Sequence, residues 1–166
     1  MTTRCFIDTE FTAFPPCEHR LISLGLAAGT GEELYLEVPF ERAQCSEFVK
    51  EVVIPLLGRI PCSLVSADDL RGRILDWFQL VRQNAEDVLI CVDSDYDWDL
   101  LVKALDNRVP AWCRKEHVGH EISEMLRYDF HVKNGLPEHH ALYDACANRA
   151  AHRPRPESSP LSPPYG

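Results

Sequence analysis

The sequence has no apolar run of the roughly 18 to 20 residues that a membrane-spanning helix requires. Its first residues, Met1-Thr2-Thr3-Arg4, lead into a predicted strand and not into the apolar core of a signal peptide. The sequence therefore predicts a protein that does not enter a membrane, and we expect it in the cytoplasm.

Positive charge is also scarce. The chain has 17 Lys and Arg against 26 Asp and Glu, which gives a formal net charge of −9. A protein that holds long nucleic acid through its phosphates needs a basic face, so that class is disfavoured. A small site that binds only the end of a nucleic-acid strand is compatible with the negative net charge, because bound cations reverse the local charge.

A disulfide framework is missing as well, since the seven cysteines are odd in number and scattered. Three of them occur in apolar stretches where a reduced thiol behaves as a small core residue: Cys5, Cys91 and Cys146. Cys113, His117 and His120 could be zinc ligands, but no second cysteine pair completes a tetrahedral set. We expect these three to be surface and core residues of an irregular segment.

The 166 residues, 45% of them hydrophobic, are enough to bury one core. We predict a folded domain at residues 1–152. Residues 153–166 include five prolines and several serines, and we predict a disordered tail there.

The hydrophobic pattern predicts strands and helices in an order that defines the fold class. Strands are expected at residues 4–9, 20–28, 33–38 and 88–92, the first three as an antiparallel meander. Helices are expected at residues 46–57, 66–83, 97–105, 120–132 and 141–151, with Pro55 ending or kinking the first. This order predicts an α/β domain with a single sheet.

The first acidic segment, Phe6-Ile7-Asp8-Thr9-Glu10-Phe11-Thr12, lies in the first predicted strand. Side chains alternate along a strand, so Asp8 and Glu10 point to the same face. Two neighbouring carboxylates repel each other unless a cation or a proton lies between them. A divalent metal ion is the expected occupant.

The second acidic segment follows the buried strand at 88–92 and contains four aspartates, Asp93, Asp95, Asp97 and Asp99. The carboxyl ends of strands are where open α/β sheets bind ligands. One or two of the four are expected only to cap the following helix.

The third segment, His139-His140-Ala141-Leu142-Tyr143-Asp144-Ala145, opens the last predicted helix. His140 and Asp144 share a helix face, while His139 stands at the helix start and can swing over a site.

In this order the three segments resemble the exonuclease motifs of the DEDDh group of 3′-to-5′ exonucleases in the ribonuclease H-like superfamily. Within that group, the first segment with Leu21-Ile22-Ser23-Leu24-Gly25-Leu26 is similar to the ribonuclease T-like and polyadenylate-specific exoribonuclease AS types. The resemblance implies a mixed sheet, in which parallel strands join the antiparallel meander, flanked by helices.

The resemblance also implies a set of catalytic residues. Four carboxylates would hold two Mg²⁺ or Mn²⁺ ions: Asp8, Glu10, Asp97 and Asp144. Asp8 would bridge both ions, with Glu10 and Asp144 completing the ion that carries the attacking water and Asp97 supporting the other. His139 would be the general base, although His140 beside it leaves open which histidine acts. Because Asp93-Ser94-Asp95 replaces the usual Asn-rich lead-in, Asp97 is chosen over Asp95 from Tyr96 and Leu100-Leu101.

The expected substrate is the 3′ end of single-stranded nucleic acid, with RNA favoured over DNA. Phe11 and Thr12 are expected to contact the terminal nucleotide, although Phe11 fits a core position equally well. The alternatives are a 3′-to-5′ DNA exonuclease of the proofreading or repair type, a catalytically silent binding module of the same fold, and a structural metal-binding domain. The ribonuclease T resemblance further implies a homodimer.

Overall fold

The computed structural model describes residues 2–83 and 85–154. In these ranges the strands are β1 Thr2–Phe11, β2 Leu21–Ala28, β3 Glu33–Glu37, β4 Asp87–Val92 and β5 Cys113–His117. The α-helices are α1 Ala67–Arg82, α2 Asp95–Ala104, α3 Glu124–Asn134 and α4 Ala141–Ala151. None of the described helices has the length and apolar character needed to cross a membrane. Apart from Arg153 and Pro154, the predicted tail lies outside the described residues.

The strands form one mixed sheet in the order β3-β2-β1-β4-β5. β1 pairs antiparallel with β2, and β2 pairs antiparallel with β3. β4 and β5 continue the sheet on the other side of β1, and both pairings there are parallel. The predicted meander with added parallel strands is confirmed.

The two faces of β1 serve different purposes. Cys5 and Ile7 lie in the main apolar core with Ile74 and Phe78 of α1, while Phe6 lies in a separate cluster with Ala151 of α4. Because side chains alternate along a strand, Asp8 and Glu10 share the face of Phe6. The site carboxylates therefore face α4, and the core holds β1 from behind.

Gly25 allows α4 to approach the sheet closely. It pairs with Asp8 across the β1–β2 ladder. A Cβ atom at this position would lie 2.3 Å from the carbonyl carbon and oxygen of Ala141 and 2.4 Å from the nitrogen of Leu142. Only glycine permits this contact, which sets the first turn of α4 against Asp8.

Most predicted helices are confirmed. Ser66 caps α1, with its hydroxyl accepting a hydrogen bond from the Asp69 amide at 3.1 Å. The helix at 141–151 has the predicted bounds. The helix predicted at 120–132 starts later, because Ser123 caps α3, and it ends at Gly135 in the left-handed conformation.

Two predictions need correction. Residues 46–57 form a π-helical turn, Val49–Val53, and a 3-10 turn, Ile54–Leu56, where a regular α-helix was expected. Pro55 has no amide hydrogen, so α-helical hydrogen bonding cannot continue there. The segment expected to be irregular contains β5, an edge strand whose central residues, Arg114 and Lys115, are exposed.

The three residues considered as zinc ligands do not come together. Cys113 begins β5 and His117 ends it. Four residues of strand separate their Cα atoms by about 13 Å, too far for one ion. His120 follows in a short 3-10 turn with its ring centroid 6.1 Å from that of His117.

Candidate active site

β1 presents Asp8 and Glu10 at the edge of the sheet next to α4. The register between β1 and β2 shifts between Glu10 and Phe11. Such an irregularity changes the direction of the strand and is common beside active sites. It directs Phe11 toward the cavity that Asp8 and Glu10 also line.

Asp97 is the aspartate of the second segment that joins the site through Thr9. It is only 4% exposed. The Thr9 amide and hydroxyl both donate to its Oδ1 atom, at 3.0 and 2.6 Å. Asp95 has a side chain that is 72% exposed and pairs with Lys115. The choice of Asp97 over Asp95 therefore agrees with their positions.

Asp93 is a residue that the sequence analysis did not include in the site. It follows β4 directly, and its carboxylate lies with those of Asp8 and Asp97, with one oxygen of each within 4.8 Å of the others. Its Oδ2 atom accepts hydrogen bonds from Arg127 Nη1 and Asn148 Nδ2, both at 3.3 Å. Its place at the carboxyl end of β4, beside β1, was the available signal.

The third segment brings His139 and Asp144 to Glu10. Ligand atoms of these three side chains lie within 4.8 Å of one another. His139 has a positive φ of 64°, which is uncommon outside glycine. Its amide donates to Asp144 Oδ2 at 2.8 Å. This hydrogen bond fixes the turn that holds the imidazole over the site.

His131 of α3 is a second residue that the sequence analysis missed. It is buried, with Nε2 3.1 Å from Asp144 Oδ1 and Nδ1 3.1 Å from the Leu136 carbonyl oxygen. The carbonyl can only accept, so Nδ1 donates. The Nε2 atom faces Asp144 Oδ1, and this contact orients the carboxylate.

His140 points away from the site. It is 1% exposed, and its ring stacks on Tyr143 at 3.8 Å and on Tyr35 at 4.3 Å between centroids. Neither ring nitrogen has a partner among the described residues. Burial lowers the pKa of His140 to about 4, so the imidazole is neutral near pH 7.

Burial and mutual repulsion raise the pKa values of the site carboxyls. Burial, assisted by the charges of Asp144 and Asp97, raises the pKa of Glu10 to about 8. The pKa of Asp97 rises to about 7, mainly through burial, and that of Asp144 to about 6 for the same reason. The pKa of Asp8, surrounded by the other acids, rises well above its usual value.

The two groups of residues fit a pair of divalent metal ions. One consists of Asp8, Asp93 and Asp97, and the other of Glu10, His139 and Asp144. Carboxylate oxygens are the ligands that Mg²⁺ and Mn²⁺ prefer. Bound cations would also relieve the repulsion that raises the carboxyl pKa values.

A cavity of about 420 Å³ opens beside the carboxylates. It is lined by Phe11, by Phe14 and Phe48, which are 64% and 51% exposed, and by His139. Phe11 is half-buried and contacts the Phe14 ring edge to face at 5.0 Å. It belongs both to an aromatic cluster and to the cavity wall.

Thr12 has a different position from the one expected of a substrate contact. Its side chain is buried and is not part of the cavity lining. The hydroxyl donates to the Glu18 carbonyl at 3.2 Å and accepts from the Arg20 amide at 3.0 Å. These bonds hold the loop between β1 and β2, so the Thr12 side chain supports this loop.

Comparison with known proteins gives matches at the level of structure. No family model matches the sequence, and no curated protein does so significantly. The chain is similar to the nuclease domain of 3′hExo, a DEDDh family member, with a TM-score of 0.57 and 15% identity over 90% of both chains. It is also similar to cell-death related nuclease 4, with a TM-score of 0.56 and 14% identity over 89% of this chain and 61% of that one.

Exonuclease I from Methylocaldum szegediense matches with a TM-score of 0.58 and 12% identity over 90% of this chain. This chain spans 39% of that protein's length. At such low identities the matches define the fold. The protein has the ribonuclease H-like fold of the DEDDh exonucleases, as the sequence predicted.

Proposed function

We propose that this protein is a metal-dependent 3′-to-5′ exoribonuclease that acts on single-stranded RNA. The observation that carries the proposal is the pair of potential ligand groups, Asp8 with Asp93 and Asp97 and Glu10 with His139 and Asp144. The fold shared with DEDDh exonucleases supports the same reaction class.

The carboxylates of both groups would hold Mg²⁺ or Mn²⁺, and Asp8 stands between the two groups because it lines the same cavities as His139 and Asp144. Bound metal ions would stabilise charge on the phosphate, activate a water molecule and stabilise the leaving oxygen. Thr9 keeps Asp97 in place, and His131 does the same for Asp144. These contacts preorganise the ligands.

His139 is the proposed general base. Its partly exposed imidazole lies beside Glu10 and Asp144 and lines the cavity. A neutral imidazole in this position can accept a proton from water. His140 is buried against two tyrosine rings and has no access to the cavity lining.

The 420 Å³ cavity is the proposed site of the 3′-terminal nucleoside, since its aromatic walls suit a base. The 3′hExo nuclease domain was solved with rAMP bound, and Escherichia coli exonuclease I with single-stranded DNA. We favour RNA because the first segment resembles ribonuclease T-like exoribonucleases. A DNA exonuclease with the same site is the second candidate, and a homodimer stays part of the proposal.

Degradation of 5′-labelled single-stranded RNA and DNA, in parallel and with Mg²⁺, Mn²⁺ or EDTA, tests the proposal. We expect products that shorten from the 3′ end, faster on RNA, and no cleavage in EDTA. Asp8→Asn and His139→Asn should remove the activity, while the exposed Asp99→Asn in the same acidic run should keep it.

Faster degradation of DNA would select the second candidate. Binding of oligonucleotides without cleavage of either polymer would identify a silent binding module. Loss of folding in EDTA, measured by circular dichroism, would indicate a structural metal-binding domain.

A further inference from the structure

The cavity that we assign to the terminal nucleoside continues into two others. A second cavity of about 210 Å³ shares Asp8, His139 and Asp144 with the first. A third, of about 460 Å³, shares His131 and Glu138 with the second. Because neighbouring cavities share lining residues, the three lie side by side, and the first two border the site carboxylates. We refer to this row of three cavities as the groove.

The far end of this groove combines an aromatic ring with an unpaired positive charge. Tyr128 of α3 is 63% exposed and lines the third cavity with Arg59. Arg59 is exposed and makes no ion pair with any residue in the described ranges. In a protein with a net charge of −9, an arginine without an ion pair in this groove is available to contact an anionic ligand.

The middle of the groove also carries a guanidinium group. Arg127 lines the second cavity and forms ion pairs with Asp93 at 3.3 Å and with Glu124 at 2.9 Å. Glu138, which lines the second and third cavities, adds an acid to this stretch of the groove. The groove thus alternates between positive side chains and an aromatic surface, the combination that single-strand binders use for phosphates and bases.

We propose that the groove holds the strand upstream of the terminal nucleotide. With the scissile phosphate beside Asp8 and His139, the next phosphate passes Arg127, a further base stacks on Tyr128, and Arg59 contacts the phosphate beyond it. This inference rests on the proposed function. It predicts that full affinity for the substrate requires a single strand of about four nucleotides.

The test measures how the effect of each substitution on KM depends on the length of the substrate. Steady-state kinetics would be measured on oligonucleotides of two to eight nucleotides, with the sugar that the wild type prefers. KM should fall as the strand lengthens from two to about four nucleotides and then stay constant. Tyr128→Ala should raise KM on the hexanucleotide about tenfold, leaving kcat and the dinucleotide KM unchanged, because one stacked base is lost.

Matched variants separate stacking from other effects. Tyr128→Phe should behave as the wild type, since the ring face is kept. Arg59→Ala should raise KM for long strands and make that KM less dependent on salt, because one phosphate contact is removed. Met125→Ala, on the same helix but outside the groove lining, and Arg73→Ala on α1 should have no effect.

Three results would overturn the inference. The first is an equal change in KM for Tyr128→Ala on dinucleotide and hexanucleotide, or no change on either. The second is a wild type whose KM does not depend on length although it cleaves the dinucleotide. The third is a change of oligomeric state in Tyr128→Ala by light scattering, which would assign this surface to a second copy. A wild type that cleaves no oligonucleotide would refute the proposed function itself, and this inference with it.

Discussion

His139 and His140 are neighbours in the chain with opposite environments. The positive φ of His139 turns its side chain into the cavity. His140, which precedes α4, instead packs its ring between Tyr35 and Tyr143. The sequence could not show which of the two histidines faces the site, because a pattern of residue types does not determine the backbone dihedral of one residue. One such dihedral decides which imidazole faces the carboxylates.

His139→Asn should lower kcat by a factor of about 10² to 10⁴, the usual effect of losing a general base. Asparagine also tolerates the left-handed conformation, so the fold should be kept. His140→Phe should keep kcat and raise the free energy of unfolding by about 1 kcal/mol, because two buried nitrogens without partners are removed. Single-turnover kinetics and thermal unfolding measure both effects. The reverse pattern, with activity lost only in His140→Phe, would reassign the base.

Asp93 adds a fifth carboxylate to the four that the resemblance implies. We expect Asp93→Asn to weaken Mn²⁺ binding about tenfold or more by calorimetry, the range seen when a group supporting a metal site is lost. The amide oxygen can still accept from Arg127 and Asn148, so the geometry should persist. The metal-free variant should also be more stable at pH 8, because Asp93 is among the charges that raise the pKa of Asp97.

Asp99→Asn is the matched control for this substitution, because Asp99 is exposed in the same acidic run. It should change neither Mn²⁺ affinity nor stability. Equal Mn²⁺ affinity in Asp93→Asn and Asp99→Asn would show that Asp93 only anchors Arg127.

At the scale of the elements, the close contact between β2 and α4 places the third segment beside the first. Gly25→Ala would put a methyl group 2.3 Å from backbone atoms of Ala141, which cannot move without shifting the start of α4. Overpacking of this kind costs about 1 to 3 kcal/mol, and the rigid backbone neighbour favours the upper end. Metal affinity should fall as well, because Asp144 would move away from Glu10.

Gly72→Ala is the control for Gly25→Ala. Gly72 lies in α1 and is exposed. Apart from its chain neighbours and the backbone of its own helix, no atom of the described residues lies within 4 Å of the position that its Cβ would occupy. This substitution should stabilise the protein by about 0.5 to 1 kcal/mol, because alanine favours the helix. Thermal unfolding of both variants checks the contrast. An unchanged unfolding temperature in Gly25→Ala would mean that α4 shifts freely and does not fix the site.

The sequence predicted best those elements in which apolar residues recur with the period of a strand or helix along the whole element. The alternation in β1 and the apolar stripe of α1 each depend on residues close in the chain. β5 was missed because Cys113 is its only buried residue, and an edge strand with charged side chains has no such period. His131 was missed for a related reason: α3 brings it to Asp144, and no local pattern records that contact. Asp93 reaches Asp8 and Asp97 through the pairing of β4 with β1, and its position after β4 was the available signal.

For the whole molecule, the assembled carboxylates make stability depend on pH and metal. Unfolded Asp and Glu have pKa values near 4. The folded protein raises those of Glu10 and Asp97 to about 8 and about 7, so it keeps protons that the unfolded chain has lost. The free energy of unfolding therefore falls as pH rises from about 4 to 8, and the loss is complete above pH 8.

Other groups with shifted pKa values titrate in a different pH range, so the contribution of the site carboxyls can be measured separately. The pKa of His140 is lowered to about 4 in the folded protein. Its contribution to the free energy of unfolding therefore increases with pH only up to about 6.5, the pKa of histidine in an unfolded chain. The hydrogen bond from Arg4 lowers the pKa of Glu116, and its contribution is complete above about pH 5. Between pH 6.5 and 8.5 the site carboxyls therefore dominate among these groups.

In EDTA, the unfolding temperature should fall by several degrees between pH 6.5 and 8.5, since 1 kcal/mol corresponds to about 2 to 4 °C for a chain of this size. Saturating Mn²⁺ should reverse the fall, because the metal binds the ionised carboxylates and its affinity rises with pH. Asp8→Asn should flatten the dependence in EDTA by removing a buried acid whose pKa is raised well above its usual value. An equal slope in Asp8→Asn and wild type would place the titrating groups outside the site. Repulsion among the site carboxylates thus destabilises the metal-free protein. Bound cations would relieve this repulsion, which strengthens their binding.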